Sequence, residues 1–178
     1  MAEQVFPTKG NLIKAKKTLA LCNLGYELMD RKRNILIREM MTLMDKAKSL
    51  RDSIEDTYKE AYAALQGANI TLGVIENIAR SIPVENGISV SYRSVMGVDI
   101  PKLTLKRTKT EVPYGFYSTN SQLDQAYVSF SKVKDITVLL AEVENSIYRL
   151  AIAIKRLRDE QTLYRTYLFR DMIAWLNI

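Results

Sequence analysis

The sequence predicts a mainly α protein, built as a long antiparallel two-helix coiled coil with a short helix and a β-hairpin inserted at the middle. Two observations predict the coiled coil: apolar residues recur at alternating steps of three and four near both ends of the 178-residue chain, a spacing typical of paired helices. A third observation predicts the insert, because the residues between the two seams change to a strand-like alternation. We expect one elongated module over residues 1–178.

The first seam predicts an N-terminal coiled-coil helix over residues 8–66. Pro7 lies just outside this helix, Thr8 can cap its first turn, and Gly67 is suited to end it. The only clearly polar seam residues are Arg33 and Thr57, and a polar residue in a seam costs stability but can fix the register of the helices. The seam consists of Leu12, Ala15, Leu19, Cys22, Tyr26, Met29, Arg33, Leu36, Met40, Leu43, Ala47, Leu50, Ile54, Thr57, Ala61 and Ala64.

The second seam predicts a C-terminal coiled-coil helix over residues 121–178. Its members are Leu123, Ala126, Phe130, Val133, Ile136, Leu140, Val143, Ile147, Leu150, Ile154 and Leu157. Farther on, the seam can continue through Tyr164, Leu168 and Trp175, but Gln161 and Asp171 fit it poorly. We therefore expect this helix to be atypical after about residue 156.

Residues 67–120 form the predicted insert. The stretch "NITLGVIENIARSIP" has a helical period and ends at Pro83, which predicts a short helix. In "GISVSYRSVMGVDIPKLTL" the apolar residues alternate, which predicts a hairpin from about Gly87 to Leu105. An isolated hairpin is marginal in water, so it should pack on the long helices. The simplest architecture places the whole insert at the bend, with a cap for the last helix at one of Ser118, Thr119 and Asn120.

The composition argues against independent catalysis. The chain has no histidine, the usual proton shuttle and commonest metal ligand, and its one cysteine, Cys22, allows no internal disulfide and no thiolate cluster. No phosphate loop and no GxGxxG motif occurs. The carboxylates of Asp52, Glu55, Asp56 and Glu60 are explained by a solvated helix face. We expect a protein that is not an enzyme, with no catalytic residue, no cofactor and no metal.

The net charge of +6 favours an acidic partner. The cations of the N-terminal helix are spread around it: Arg31 faces outward, Lys32 flanks the seam and Arg33 lies within it. A nucleic-acid or membrane surface would require one basic stripe, and no apolar run approaches the roughly 20 residues of a membrane span. We expect a cytoplasmic protein without nucleic acid or direct membrane insertion.

Three functions stay open at this point. The first is a rod inside a collar of other subunits, which would meet acidic groups all round. The second is a basic coiled-coil adaptor or export-apparatus stalk protein, although a plain stalk protein needs no strands between its helices. The third is a coiled-coil nucleic-acid binder.

The stretch "FPTKGNLIKAKKTLALCNLGYELMDRKRNIL" resembles the N-terminal signature of the D subunit of the V-type and archaeal-type (A-type) rotary ATP synthases. The matching residues are Pro7, Thr8, Lys9, Gly25, Tyr26, Leu28, Lys32 and Arg33. Departures from the signature occur at Met29, Asp30 and Asn34. In addition, "VMGVDIPKL" resembles the family's central hairpin and "AEVENSIYRLAIAIKR" its C-terminal helix, so the resemblance covers the chain from about Phe6 to Arg156.

The resemblance implies a non-catalytic central-stalk protein, the rotor shaft that couples ATP synthesis or hydrolysis in a catalytic hexamer to ion transport, such as hydrogen ion transport, across a membrane. The implied partners are the A and B subunits of the hexamer, the F subunit along the rod, and the C or d subunit at the bend. The protein would thus be peripheral to the membrane through the complex. The expected hexamer-bearing contacts are Lys9, Lys14, Gly25, Arg31, Lys32 and Arg33. The expected contacts of the F subunit and of regulation lie on the hairpin at Tyr92, Val95, Met96, Gly97, Val98 and Pro101.

The C-terminal segment departs from the family. The proteins of this family continue with a segment resembling "RRVNALE…IP", whereas the match in this chain stops after "AIKR". Two explanations are open: a shorter shaft, or a shift of reading frame near codon 156, which the abrupt end of the match favours. We expect the helix to fray from about Arg158 onward in the isolated chain.

Overall fold

A computed structural model describes residues 8–84, 86–106 and 114–176 of the chain; the side chains of residues 118 and 167–176 are outside this description. The elements in chain order are helix α1 (Lys9–Leu72), helix α2 (Glu76–Ser81), strand β1 (Ile88–Val95), strand β2 (Val98–Leu105), a 3₁₀ helix (Phe116–Ser118) and helix α3 (Ser121–Leu176). At 1.5 Å per residue, α1 is about 95 Å long. The predicted fold class, two long helices with a short helix and a hairpin between them, is confirmed.

Helix α1 begins where the sequence predicts and ends later. The Thr8 hydroxyl oxygen accepts a hydrogen bond from the Asn11 backbone N–H at 3.3 Å, which is a standard N-terminal cap. The expected stop at Gly67 is wrong, because the helix continues to Leu72 and Gly73, with φ of 77°, follows it. Ala68 is fully buried and Leu72 packs beside it, so burial outweighs the roughly 1 kcal/mol that a helical glycine costs.

Among the three candidate caps of α3, the structure assigns the role to Asn120. Its side-chain oxygen accepts from the Leu123 backbone N–H at 3.1 Å. Its side-chain nitrogen donates to the Thr71 hydroxyl oxygen at 2.8 Å, so the cap also joins the start of α3 to the end of α1. One polar residue therefore caps one helix and helps to close the bend.

Cross-helix contacts set the antiparallel register of α1 and α3. Arg51 Nη2 lies 2.6 Å from Glu144 Oε1, and Thr71 Oγ1 donates to Gln122 Oε1 at 2.7 Å. Along α3 the seam residues that are buried are Leu123, Ala126, Val133, Val143, Leu150 and Leu157. On α1 the fully buried seam residues are Leu36 and Ala61. The two seams predicted from the sequence face one another.

The insert divides into two parts that pack at different heights on the rod. Helix α2 stays at the bend. The isoleucines within and next to it pack against a buried cluster, which we call the bend cluster, of Ala68, Tyr114 and Leu123. The hairpin folds back along the rod: Ile100 of β2 is buried with Leu36, Leu150 and Leu157, about 50 Å along α1 from the bend. The expectation that the whole insert sits at the bend is therefore wrong. The hairpin lies there because its buried residues complete a core that the two seams leave open on one side.

Candidate functional site

The cations of "DRKRN" differ in what they can contact. Arg31 is exposed and forms an ion pair with Glu27 one turn earlier on the same helix, so it faces away from α3. Lys32 is half-buried beside the seam. Arg33 turns toward α3. The orientation expected from heptad positions is what the structure shows, whereas their contacts with other subunits stay a prediction.

Arg33 is held by two side chains. Its Nη2 lies 2.7 Å from Asp30 Oδ1 on the same helix, and its Nη1 donates to Gln161 Oε1 of α3 at 3.0 Å. Gln161 is only 4% exposed. Two nitrogens of this group, Arg33 Nε and Gln161 Nε2, are buried and have no hydrogen-bond partner among the described residues. Because buried polar groups are costly when unpaired, the pair disfavours any register that would separate Arg33 from Gln161.

Gly25 lies opposite a tyrosine of α3. A Cβ at this position would be 3.4 Å from the hydroxyl oxygen of Tyr164. Hydrogen bonding to the thiol of Cys22 raises the pKa of Tyr164. The glycine thus faces a side chain of the second helix, and this part of α3 packs on α1 although it follows the end of the family resemblance. The side chains of Leu168, Asp171 and Trp175, the later seam positions, are outside the described residues.

The sequence interpretation missed a second apolar stripe on α1. Leu21, Leu24 and Leu28 are 69%, 53% and 56% exposed, and Ile13 and Ile35 are exposed on the same line. At 100° per residue this line lies opposite the seam that faces α3. We call these five residues the outer stripe. Their spacings of eight, three, four and seven fit one face of a helix and could have revealed them, but the longer seam on the other side of α1 was the only pattern assigned.

Cations accompany the outer stripe. Lys9 and Lys14, two of the predicted bearing contacts, are exposed near the start of α1, and Lys14 and Lys32 flank the stripe on one side by helical geometry. Arg31 borders it on the other side. Lys17, one turn after Ile13, is exposed and interrupts the stripe once. The stripe is therefore mainly apolar with positive margins, which suits a partner surface that is apolar and carries acidic groups.

The six hairpin residues chosen from the sequence separate into two groups. Pro101 is buried, and Val95 and Val98 pack against the core that β2 forms with the long helices. These three hold the hairpin on the rod. The residues that stay accessible to a partner are Tyr92, Met96 and Gly97, all exposed. The tip is a two-residue turn, with φ of 51° at Met96 and 79° at Gly97, which matches a type I′ hairpin turn.

Helix α3 holds the hairpin through a row of polar side chains. Glu142 Oε2 accepts from the Leu103 backbone N–H at 2.7 Å. One turn later the Ser146 hydroxyl approaches the Pro101 carbonyl oxygen at 3.5 Å, and after another turn Arg149 Nη1 donates to the Asp99 carbonyl oxygen at 3.1 Å. The Arg149 guanidinium also lies 5.2 Å from the ring centre of Tyr92. Three turns of one helix therefore cover the edge of β2.

Within the described residues, no group of three or more His, Cys, Asp or Glu side chains could hold a metal ion. A search of the same residues finds no helix long and apolar enough to cross a membrane. The arrangement that remains is a long rod with a docked hairpin, an apolar outer stripe and a polar pair in the seam.

A comparison with protein families decides the relationship. The model of the ATP synthase D-subunit family matches residues 11–159, which covers most of the chain. The chain belongs to the ATP synthase D-subunit family. The V-type ATP synthase D subunit of Thermotoga neapolitana is 43% identical over 154 residues, which cover 85% of this chain and 76% of the relative. The A-type ATP synthase D subunit of Thermococcus kodakarensis is 35% identical over 162 residues, 87% of this chain and 76% of the relative.

Proposed function

We propose that this chain is the non-catalytic central-stalk component, the rotor shaft, of a V-type or A-type ATP synthase. It turns inside a hexamer of A and B subunits and couples ATP synthesis or hydrolysis there to ion transport across the membrane. The proposed shaft needs no active site of its own. It acts by binding the conformations of the hexamer unequally, which is what any shift of a conformational equilibrium requires.

The outer stripe carries this proposal. A two-helix coiled coil needs one apolar seam on each helix, and α1 has a second one that α3 does not cover. Exposed apolar stripes of this kind mark contact with another protein. A surrounding hexamer would cover the stripe, with acidic groups near Lys14 and Arg31. Because the stripe lies on one side of the rod, different collar subunits would meet unequal surfaces at any moment.

The opposite end of the rod suits a different partner. Large apolar side chains are exposed at the bend, namely Ile70, Val74, Val84, Phe116 and Tyr117. Among the described residues of this end, charged side chains are sparse: Glu76 and Arg80 form an ion pair with each other, and Asp124 accepts from Tyr114. This end is proposed to seat in the C or d subunit, which connects the shaft to the membrane ring. The F subunit would bind at the side of the rod near the hairpin. The chain would then be cytoplasmic and peripheral to the membrane through the complex.

Reconstitution tests the proposal. The full chain, added to a purified hexamer of A and B subunits from the same source, should change the turnover of ATP hydrolysis. The double variant Leu24→Glu with Leu28→Glu should abolish this effect, because the two new carboxylates would be buried against the apolar surface of the hexamer. Val128→Glu on α3 is the matched control, since Val128 is equally exposed but far from the outer stripe. Equal activity of both variants would refute the bearing role of the stripe.

A further inference from the structure

The two edges of the hairpin differ in their hydrogen bonding. The pair formed by the Lys106 backbone N–H and the Gly87 carbonyl oxygen at 2.9 Å fixes which positions bond across the ladder, because bonded and non-bonded pairs alternate in antiparallel strands. Asp99, Pro101 and Leu103 of β2 therefore point their backbone groups outward. Those groups meet Arg149, Ser146 and Glu142 of α3, so this edge is closed.

The edge of β1 is open. By the register of the strands, Tyr92 is opposite Pro101 and Val90 is opposite Leu103, so Ile88, Val90, Tyr92 and Ser94 direct their backbone groups away from β2. Those groups have no hydrogen-bond partner among residues 8–84, 86–106 and 114–176, and all four residues are exposed. The strand has no proline and a single charge, so it lacks the usual protection of an edge strand.

Positive charge lies on the side of α1 that contacts β1. Arg93 of β1 forms an ion pair with Glu39 of α1 at 2.7 Å, which places the strand next to one line of that helix. Helical spacing puts Lys32, Ile35 and Lys46 on the same line as Glu39. Neither lysine has a carboxylate partner among the described residues. Glu39 is the only carboxylate on this line, and Arg93 already occupies it.

We propose that the open edge of β1 binds an extended, acidic segment of another polypeptide as a third strand of the sheet. Only an extended chain can satisfy an alternating row of backbone donors and acceptors. Alternate side chains of that segment would pack on Ile88, Val90 and Tyr92, and its carboxylates would face the lysines. The inference rests on the proposed role of the hairpin as a partner site and adds the mode of binding.

Synthetic peptides provide a direct probe. One is an acetylated, amidated ten-residue peptide of alternating valine and glutamate, and its matched control replaces glutamate by lysine. Amide hydrogen exchange of the full chain is followed by NMR at saturating peptide. We expect the acidic peptide to slow exchange at Val90 and Tyr92 by at least about tenfold, and the basic peptide to leave it unchanged. The Ser91 and Arg93 amides, which face β2, report on the integrity of the hairpin.

Two variants separate backbone from side-chain recognition. Val90→Pro removes the outward N–H at a position equivalent to the natural Pro101, so the ladder with β2 keeps its bonds. Val90→Ala keeps the N–H and shortens the side chain. Strand addition predicts a loss of peptide binding in the proline variant and near-normal binding in the alanine variant. Equal loss in both, equal binding of the two peptides, or binding without amide protection would overturn the proposal.

Two further results distinguish the proposals. Protection of the β1 amides that rises with protein concentration and without peptide would assign the edge to a second copy of this chain, and would overturn a heterologous strand. Failure of the purified F subunit to bind the chain would contradict the proposed function, whereas the peptide result would stand unaffected.

Discussion

The guanidinium of Arg33 and the side-chain amide of Gln161 meet across the seam, with Nη1 and Oε1 at 3.0 Å. Each residue alone is a poor seam residue, and together they form a single polar layer between apolar ones. Such a layer selects one register at some cost in stability. In the proposed rotor shaft, a fixed register would keep the two helices from sliding past one another.

Variants of Arg33 and Gln161 should show whether this polar layer contributes to the stability of the coiled coil or only to its register. Arg33→Leu leaves Gln161 buried without its donor, so the free energy of unfolding should fall by about 1–3 kcal/mol. The double variant Arg33→Leu with Gln161→Leu should recover that loss or exceed it, since apolar replacements of buried polar pairs are often neutral or stabilising. Urea unfolding measures both.

Register is checked in the same proteins by pairs of engineered cysteines across the seam. Wild type should form disulfides only between positions in the observed register, and the double variant should also form shifted ones. A double variant that is less stable than either single variant would mean that the polar pair stabilises the coil outright.

Glycine at position 25 can be tested against glycine at position 67. Gly67→Ala has open space around the new Cβ and should stabilise the chain by about 1 kcal/mol, the usual helical difference. Gly25→Ala meets the Tyr164 hydroxyl at an ordinary contact distance and should gain no more than that. Gly25→Phe should displace the tyrosine and lower the melting temperature. If Gly25→Phe melts like wild type, α3 does not pack closely on α1 at this height.

Tyr114 should make stability depend on pH in the alkaline range. Burial, followed by the hydrogen bond to Asp124, raises the pKa of Tyr114 from 10.0 to about 12. The folded state therefore retains a proton that the unfolded state has lost, so stability falls as pH rises from about 10 to about 12. The loss is on the order of 2 kcal/mol. The difference in unfolding free energy between wild type and Tyr114→Phe, measured from pH 9 to pH 12, isolates this group, and a constant difference would contradict the assignment.

The turn of the hairpin carries a residue that does not favour its conformation. Met96 has φ of 51°, where asparagine is preferred and most residues are strained. Met96→Asn should strengthen the hairpin by about 1 kcal/mol, measured as slower amide exchange of the ladder residues of β1. Met96→Ala keeps the strain and serves as the control. An equal gain in the alanine variant would point to loss of the exposed methionine side chain as the cause.

The sequence was sufficient for elements whose signal is local and repeated. Both seams, the cap at Thr8 and the strands of the hairpin follow from spacing and turn residues. The end of α1 was wrongly predicted at Gly67, because a glycine inside a helix costs less free energy than the burial of Ala68 provides. The partner of Arg33 was not predictable from α1 alone, since pairing with Gln161 requires the register of two helices far apart in the chain.

The position of the hairpin had to come from the tertiary structure. Ile100 shares a core with Leu36 and Leu150, and nothing in the strands themselves specifies that distance from the bend. The outer stripe is a different case. The spacing of Leu21, Leu24 and Leu28 can be read from the sequence. Only one apolar face of α1 can pack against α3, so the outer stripe becomes evident once the seam has been assigned.

Single-molecule rotation shows whether this chain turns inside the hexamer. A bead is attached to the chain through a tag at the bend, beside the exposed Tyr117, and the chain is assembled with a surface-fixed hexamer of A and B subunits. We predict that the bead rotates continuously in one direction when ATP is added and stops when ATP is removed. A bead that stays bound and stationary while the hexamer hydrolyses ATP would contradict the proposed role of the chain as a rotor shaft.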